Sequence, residues 1–382
     1  MRVLYVIDGL GTGGTERSLA DMLPRLRRHG VDCSVACLHA RSQGAEQEVK
    51  DAGIHVQVLS GETPLARARS LVGIVRQHRP DVLHSMIFAS NQVSRIAACR
   101  VGVPHITSLV GMNYDPVRFS DPRISKWRLR GVQALDALTS RLTSHFHAVT
   151  RAVKSAAVRD LWIDPKRVSV IYRGRDRARL GEPGPDRRNE VRRRLELNPY
   201  TPVVLTVGRQ EFLKGQSILL RAFRRLLDQV PDARLLVAGR DGASTPDLQG
   251  LVSELRLRDR VWFLGYRADV PDLLAASDVF AFPSLCEGIG GAIIEAMALG
   301  LPIVASRLDS LEEVLTHGAD GLLVPPRDPA VLASSLQQLV QDRVLAAALG
   351  DRARSTFLER FDLERSVVQT VEMYAGVIEQ CR

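Results

Sequence analysis

The chain has 382 residues, 45% of them hydrophobic and 25% charged, and its formal net charge is +9. This is the composition of a globular protein of roughly two domains, and no run approaches the roughly 20 apolar residues needed to span a bilayer. The positive charge favours polyanionic partners such as nucleic acid, anionic lipid or a phosphorylated substrate, without choosing among them.

The first 150 residues alternate short apolar runs with helical patterns. The runs predict strands over residues 3–7, 31–38, 54–59, 81–85, 103–110 and 145–149. After the first run, Leu19, Met22, Leu23 and Leu26 recur at helical spacing, and Pro24 is expected to kink that helix. Near-continuous apolar strands separated by helices are typical of parallel βαβ units whose sheet is covered on both faces.

Residues 174–199 break this alternation and, being rich in Gly, Pro and Arg, predict a linker with a short basic helix. The alternation restarts with strands predicted over 201–208, 233–239, 260–265, 278–284 and 301–306. The last helix, 361–380, is amphipathic and either closes the second domain or crosses back to the first. We therefore predict an α/β protein with two Rossmann-like domains facing a cleft. Its parts are an N-terminal domain over 1–175 with the last helix, a linker over 176–199 and a C-terminal domain over 200–360.

The first glycine-rich loop follows a strand and precedes a helix. Gly9, Gly11 and Gly14 satisfy the dinucleotide fingerprint GxGxxG. The second strand, however, ends CLHARSQ, without the acidic residue that would bind a ribose, which disfavours NAD. The loop is either a purely structural turn or a site where the free N–H groups around Gly13 and Gly14 bind phosphate or sugar.

The second loop, VGRQEFLKGQ over 207–216, places Arg209 and Lys214 after a predicted strand. Ligands of α/β sheets bind at the carboxyl ends of strands, and this pair of cations suits a diphosphate. The alternative is that both are solvated surface cations.

The third segment, SLCEGIGGAIIEAMALGLPIVAS over 284–306, holds Glu287 and Glu295 on either side of three glycines. A helix is predicted from Gly291, which places Glu295 in its first turns and Glu287 in the preceding loop. Both carboxylates can then face one cleft, where a carboxylate suits a vicinal diol and the loop amides suit phosphate or sugar oxygens. The alternative is a helix N-terminus that merely attracts glutamate.

Together these segments resemble a known family. The match rests on GGTER (13–17), IYRGRD (171–176), VGRQEFLKG (207–215), EGIGGAIIEAMALGLPIVAS (287–306) and DGLLVPPRDPAVLASSL (320–336). The chain resembles the family 4 retaining glycosyltransferases (glycosyl transferases group 1), which have the GT-B architecture. The resemblance implies transfer of a sugar from a nucleoside-diphosphate sugar to an acceptor in polysaccharide or cell-envelope biosynthesis.

The resemblance also implies a role for each matching residue. Arg209 and Lys214 would bind the diphosphate, Glu295 the ribose hydroxyls, and Glu287 would lie near the donor sugar. The backbone would contribute at further positions: Ile289, Gly290 and Gly291 to sugar and phosphate, Gly13 and Gly14 to the diphosphate, and Gly239 to the base, with Arg267 touching it.

The chain lacks an Asp-x-Asp triplet, so we expect no metal or other cofactor, with Arg209 and Lys214 taking the place of a divalent cation. Relatives often carry a His where this chain has Val110. His84 and His105 are weaker candidates, so no general base is assigned. The leaving phosphate itself can accept the proton of the acceptor.

Residues 118–159 hold nine Lys and Arg against two Asp, with Phe119 and Trp127 among them. In the N-terminal, acceptor-binding domain this surface suits an anionic membrane or a lipid-linked acceptor; the alternative is a solvated basic face. Nucleic acid is disfavoured because no RNP, KH or zinc-knuckle pattern is present. The five cysteines show no CxxC spacing, and the first residues are typical of a strand rather than of a signal peptide. Both features predict a location in the cytoplasm, extending to the inner face of the membrane.

Two other functions remain open from the sequence. One is a nucleotide-sugar epimerase or hydrolase of the same fold, and the other is a non-catalytic nucleotide-sugar-binding protein.

Overall fold

A computed structural model describes residues 1–381 of the protein. The chain divides into two compact units, Met1–Arg175 together with the chain from Leu363 on, and Asp176–Asp362.

The first unit is built on a seven-stranded parallel sheet in the order β3-β2-β1-β4-β5-β6-β7. Its strands are β1 (Arg2–Ile7), β2 (Asp32–Cys37), β3 (His55–Val58), β4 (Val82–Met86), β5 (His105–Leu109), β6 (His145–Ala148) and β7 (Val168–Val170). Its helices are α1 (Gly14–Arg28), α2 (Glu46–Asp51), α3 (Pro64–His78), α4 (Phe88–Val101), α5 (Lys126–Ser140) and α6 (Arg151–Leu161), with the last helix of the chain. Pro24 lies inside α1, which continues past it to Arg28.

Both faces of this sheet are covered, which explains the near-continuous apolar strands. Along β1, the residues Val3, Tyr5 and Ile7 join a core with α1, whereas Leu4 and Val6 join a second core with α3 and α4. The order of strands reverses between β1 and β4, as in a Rossmann fold.

The second unit has a six-stranded parallel sheet in the order β10-β9-β8-β11-β12-β13. Its strands are β8 (Val203–Val207), β9 (Arg234–Ala238), β10 (Val261–Gly265), β11 (Val279–Phe282), β12 (Ile303–Ser306) and β13 (Leu322–Val324). Its helices are α7 (Arg177–Leu180), α8 (Pro185–Arg194), α9 (Gln216–Leu226), α10 (Thr245–Glu254), α11 (Val270–Ala276), α12 (Gly291–Ala298), α13 (Asp309–Glu312), α14 (Pro329–Gln341) and α15 (Arg343–Arg360). The reversal of strand order here lies between β8 and β11.

The segment 176–199, expected as a linker, is packed into the second unit as α7 and α8. Asp278, at the start of β11, accepts hydrogen bonds from Arg188 and Arg192 of α8 and from Arg343, at 2.7, 2.7 and 2.8 Å. The arginines of the predicted short basic helix therefore fix α8 to the sheet, and Arg192 is only 1% exposed.

The final helix, α16 (Leu363–Gln380), belongs to the first unit, which settles the choice left open by the sequence. Val367, Tyr374 and Val377 are buried in the same core as β1. The hydroxyl oxygen of Tyr374 lies 2.5 Å from that of Tyr5 and 2.6 Å from Nδ1 of His84, so a buried hydrogen-bond network fixes the helix to the sheet.

Candidate functional site

The predicted site of the second unit lies where its strand order reverses. Arg209 and Lys214 follow β8, and Glu287 follows β11, the neighbouring strand. Because the carboxyl ends of parallel strands meet at one edge, the two loops stand side by side, at the usual position of a ligand in such a sheet.

Lys214 and Glu287 are in direct contact, an arrangement that the sequence did not predict. Lys214 Nζ lies 2.5 Å from Glu287 Oε1, and Ser284 Oγ donates to the same oxygen at 2.8 Å. Ser310 Oγ donates to the backbone oxygen of Glu287 at 2.8 Å. The Glu287 side chain is 11% exposed and that of Lys214 30%, so the cation is held near the surface by a residue whose carboxylate and backbone are each hydrogen-bonded by a serine.

The two loops are also joined through their backbones. Leu285 N–H donates to the oxygen of Leu213 at 2.8 Å. Gly215 has φ of +63°, and a Cβ there would lie 2.0 Å from the oxygen of Pro283, so only glycine fits. Lys214 therefore has a defined position relative to Glu287.

Arg209 is the exposed residue of a loop whose backbone is fixed. Gln216 Nε2 donates to the oxygens of Gly208 and Arg209 at 3.1 and 3.4 Å. Gly239, at the end of β9, packs so closely that a Cβ would lie 2.1 Å from the oxygen of Gly208. Arg209 and Gly239 are thus brought to one place, and the Arg209 side chain, 54% exposed, is accessible to a ligand.

The helix α12 begins at Gly291 as predicted, and no side chain caps its N-terminus. Gly290 has φ of +71° and packs against Phe282, which brings the backbone close to β11. Ile289 is buried, and Glu295 is partly exposed in the second turn of the helix. The free N–H groups of this terminus can bind anionic oxygens at the same edge of the sheet.

Arg267 follows β10 and is already engaged by an acidic neighbour. Its guanidinium donates to both oxygens of Asp269 at 2.7 and 2.6 Å. This hydrogen bond lowers the pKa of Asp269. The loop is adjacent to Gly239, whose N–H donates to the oxygen of Gly265 at 2.8 Å.

Gly13 and Gly14 lie in the first unit, at the start of α1. A Cβ on Gly13 would lie 2.3 Å from Glu16 Oε2, so the carboxylate folds back over the N-terminus of the helix. Arg173 Nη1 donates to the oxygen of Gly14 at 3.4 Å, and burial lowers the pKa of Arg173 to about 9.

The two histidines considered as bases are core residues of the first unit. His84, 1% exposed, has Nδ1 hydrogen-bonded to Tyr374 and Nε2 2.8 Å from Ser108 Oγ. His105 is fully buried, with Nε2 2.8 Å from Ser85 Oγ. Burial lowers the pKa of His84 well below its ordinary value and that of His105 to about 3. Neither histidine is placed to meet a substrate.

Sequence reasoning missed the residues that support this site. Ser284, Ser310 and Gln216 orient Glu287 and the Arg209 loop through the hydrogen bonds described above. Only Ser284 carried a signal, because it lies three residues from Glu287 and its hydroxyl can reach that carboxylate locally.

Over residues 1–381, no three His, Cys, Asp or Glu side chains are grouped so that they could hold a metal ion. Across the same residues, none of the helices combines the length and hydropathy that crossing a bilayer requires.

Two family models match the chain, the Glycosyltransferase Family 4 model over residues 12–179 and the Glycosyl transferases group 1 model over residues 201–342. The D-inositol 3-phosphate glycosyltransferase of Rhodococcus jostii is 30% identical over 388 residues, covering 95% of this chain and 84% of that protein. The UDP-Gal:alpha-D-GlcNAc-diphosphoundecaprenol alpha-1,3-galactosyltransferase of Escherichia coli is 26% identical over 314 residues, covering 81% of this chain and 79% of that protein.

Solved structures give the same fold. Anabaena HepE in complex with UDP-glucose matches with a TM-score of 0.87 at 25% identity, covering 98% of this chain and 100% of that chain. Sucrose-phosphate synthase from Thermosynechococcus elongatus matches over 100% of both chains with a TM-score of 0.84 at 21% identity. With its two Rossmann-like sheets, the chain therefore belongs to glycosyltransferase family 4 and is a glycosyltransferase of the GT-B fold.

Proposed function

We propose that this glycosyltransferase transfers a sugar from a nucleoside-diphosphate sugar, with retention of configuration, to a glycan or lipid-linked acceptor in polysaccharide or cell-envelope biosynthesis. The observation that carries the proposal is the Lys214–Glu287 contact at the strand-order reversal of the second sheet, beside the exposed Arg209.

The site offers two kinds of group that a nucleoside-diphosphate sugar needs. Lys214, Arg209 and the N-terminal amides of α12 are cations and hydrogen-bond donors for the diphosphate. Glu295 and Glu287 are carboxylates able to accept hydrogen bonds from ribose and sugar hydroxyls. The base would lie by Gly239 and Arg267, and Gly13 and Gly14 would approach the diphosphate.

In the proposed reaction, the bond between the anomeric carbon and the diphosphate oxygen breaks, and the acceptor oxygen bonds to that carbon on the same face. The acceptor proton passes to an oxygen of the leaving diphosphate. Negative charge grows on the diphosphate as its bond breaks, so fixed cations and amides there stabilise the transition state more than the ground state. No protein base and no metal are required by this scheme.

The matched relatives support the choice of donor and acceptor. The Escherichia coli protein is named for UDP-Gal and a diphosphoundecaprenol acceptor, and the Rhodococcus jostii protein for an inositol phosphate. Both acceptors carry phosphate, which agrees with the net charge of +9 on this chain.

We expect Arg209→Ala and Lys214→Ala each to lower kcat by about 10²–10³, as the loss of a transition-state hydrogen-bond donor does elsewhere. The donor is first identified by thermal shift with UDP, GDP, ADP and their sugars, and turnover is then measured over a panel of acceptors. Arg224→Ala is the matched control, because Arg224 is exposed and its ion pair is a local one with Asp228, four residues along the chain. Near-normal turnover in both site variants would contradict the assignment.

The same assay separates the rival functions. Stoichiometric free sugar without acceptor would favour a hydrolase, and donor binding without turnover would favour a binding protein. Retention is checked by NMR of the anomeric proton in the first product formed; an inverted configuration would overturn that part of the proposal while leaving transfer intact.

A further inference from the structure

The outward face of α5 carries an unusual set of exposed apolar side chains. Five of the fifteen large hydrophobic residues exposed in the described chain fall within residues 127–142. They are Trp127 at 81% exposure, Val132 at 37%, Leu135 at 50%, Leu138 at 63% and Leu142 at 44%. Single exposed apolar residues need no explanation, but this concentration on one element does.

Four of these residues form one stripe. At 3.6 residues per turn, the directions of Trp127, Leu135 and Leu138 on α5 fall within about 80° of one another, and the exposed Leu142 lies just beyond the helix. We call this set the α5 stripe. Leu142 is the second residue after the helix, which ends at Ser140.

The opposite face of α5 is buried through polar contacts. Asp136 accepts from Arg95 of α4 at 2.5 Å and from the hydroxyl of Tyr114 at 2.9 Å. Arg95 is 1% exposed and Asp136 5%. The helix is therefore anchored by an ion pair facing inward and presents its leucines outward, the reverse of an ordinary surface helix.

Positive charge flanks the α5 stripe on both sides. Lys126, Arg128, Arg130 and Arg141 are all exposed. The one acidic residue of the helix, Asp136, is buried, so the outward face carries no negative charge. The Arg130 guanidinium lies 5.8 Å from the centre of the Trp127 ring.

A second exposed tryptophan follows α6, the helix whose end packs against the inward face of α5. Gln133 Nε2 on α5 donates to the oxygen of Asp160 at 3.0 Å, which brings the end of α6 against α5. Trp162 follows that end and is 79% exposed. Trp and Leu flanked by Lys and Arg are typical of surfaces that lie in the headgroup region of a bilayer.

We propose that the α5 stripe and its flanking cations are a docking surface for a bilayer that contains anionic lipid. A second copy of the chain fits this surface poorly, because it would bring arginine against arginine around the apolar contact. Anionic headgroups match the cations, and the acyl boundary matches the leucines. The inference goes beyond the proposed function, since docking requires neither donor nor acceptor.

The test measures vesicle binding of the full chain without substrates. Flotation with phosphatidylcholine vesicles is compared with vesicles containing phosphatidylglycerol, over a range of salt concentrations. We expect binding to the anionic vesicles that weakens with salt, because each cation near the surface contributes about fivefold. A triple variant should then lower the affinity for the anionic vesicles about a hundredfold at low salt. It combines Arg128→Gln, Arg130→Gln and Arg141→Gln.

Removing the apolar part should have an effect of its own. Leu135→Ser with Leu138→Ser should lower binding to the anionic vesicles at least about tenfold, because both side chains would otherwise enter the apolar boundary. The matched control is Val344→Ser in the second unit, whose side chain is even more exposed, at 82%, and is not part of the α5 stripe. All three variants change exposed residues, so their thermal unfolding should match that of the unmodified chain.

Three results would overturn the proposal. The first is equal binding of the chain and the Leu135/Leu138 variant to anionic vesicles, and the second is no binding by the unmodified chain. The third is a light-scattering mass of a dimer for the unmodified chain and of a monomer for the Leu135/Leu138 variant. That pair of masses would show that the α5 stripe is a self-association surface. None of these results bears on sugar transfer, which the turnover assay tests separately.

Discussion

At the scale of single residues, Lys214 is fixed by three contacts. Its ammonium meets Glu287, lies 5.7 Å from the centre of the Phe282 ring, and its stem packs at Gly208, where a Cβ would lie 3.4 Å from Lys214 Cδ. A cation held in one place needs little reorganisation when charge develops next to it. The Glu287 carboxylate, 11% exposed, is the contact that holds the ammonium of Lys214.

Asp278 is the residue on which we expect the stability of the second unit to depend most. Burial would raise the pKa of this carboxyl, but Arg188, Arg343 and Arg192 together lower it below its ordinary value. Asp278 also accepts the N–H of Val203 at 2.8 Å, which fixes the start of β8. Asp278→Ala would leave the buried Arg192 without its carboxylate, and we expect a loss of about 3–5 kcal/mol in unfolding free energy.

Urea unfolding measures this loss, and Asp272→Asn is the control. Asp272 pairs with Arg187 and Arg194 but its side chain is 27% exposed, so its loss should cost less than about 1 kcal/mol. Equal losses of unfolding free energy in the two variants would show that burial does not determine how much the Asp278 cluster contributes to stability.

At the scale of elements, the hydroxyl of Tyr374 links α16 to the sheet of the first unit. Tyr374→Phe would leave Tyr5 and Nδ1 of His84 without this partner in the core of the first unit. A buried polar group that loses its partner costs about 1–3 kcal/mol, so the variant should unfold at lower urea concentration. It should also exchange the amide hydrogens of α16 faster.

Val368→Ala on the same helix serves as the reference for that experiment. Val368 is 39% exposed, so its truncation should change the unfolding free energy by no more than about 0.5 kcal/mol. If Tyr374→Phe leaves the hydrogen-exchange protection of the α16 amides unchanged, apolar packing alone holds the helix in place.

The elements also show what the sequence could predict. The central strands and the start of α12 at Gly291 followed from apolar runs and glycines, and the structure confirms them. The edge strands β7 and β13 were missed because three residues are too few to show a period. The segment 176–199 was expected as a linker because arginine content does not reveal that Asp278, 90 residues after Arg188 and 86 after Arg192, pairs with both.

The site, like the fold, could be predicted from the sequence only in part. The residues after β8 and β11 could be placed at one edge because parallel strands put their loops together. The Lys214–Glu287 contact could not be predicted from the sequence, because it depends on how Gly215 packs against Pro283. The roles assigned to Arg209, Lys214, Glu287 and Glu295 remain predictions for the turnover assay.

At the scale of the whole molecule, acid should destabilise the protein before its carboxylates titrate. His84 and His105 are buried, and burial holds both pKa values below that of an unfolded chain, about 6.5. The unfolded state therefore binds more protons below pH 6.5. Their contribution to stability is complete above that pH and falls by about 1.4 kcal/mol per pH unit for each histidine as the pH drops.

Urea midpoints measured from pH 8 to pH 5 check this expectation. The midpoint should be nearly constant above pH 7 and fall steeply from pH 6.5 to 5. His105→Asn should reduce the slope, whatever it does to stability at neutral pH. A flat profile across this range would contradict the burial of both rings.

The position of α16 has a consequence for the order in which the protein forms. The ribosome synthesises the whole of Asp176–Asp362 before Tyr374 exists, yet the core around β1 is complete only when that helix arrives. During translation the second unit can therefore fold first. Until α16 is synthesised, the core along β1 in the first unit lacks the side chains that this helix contributes.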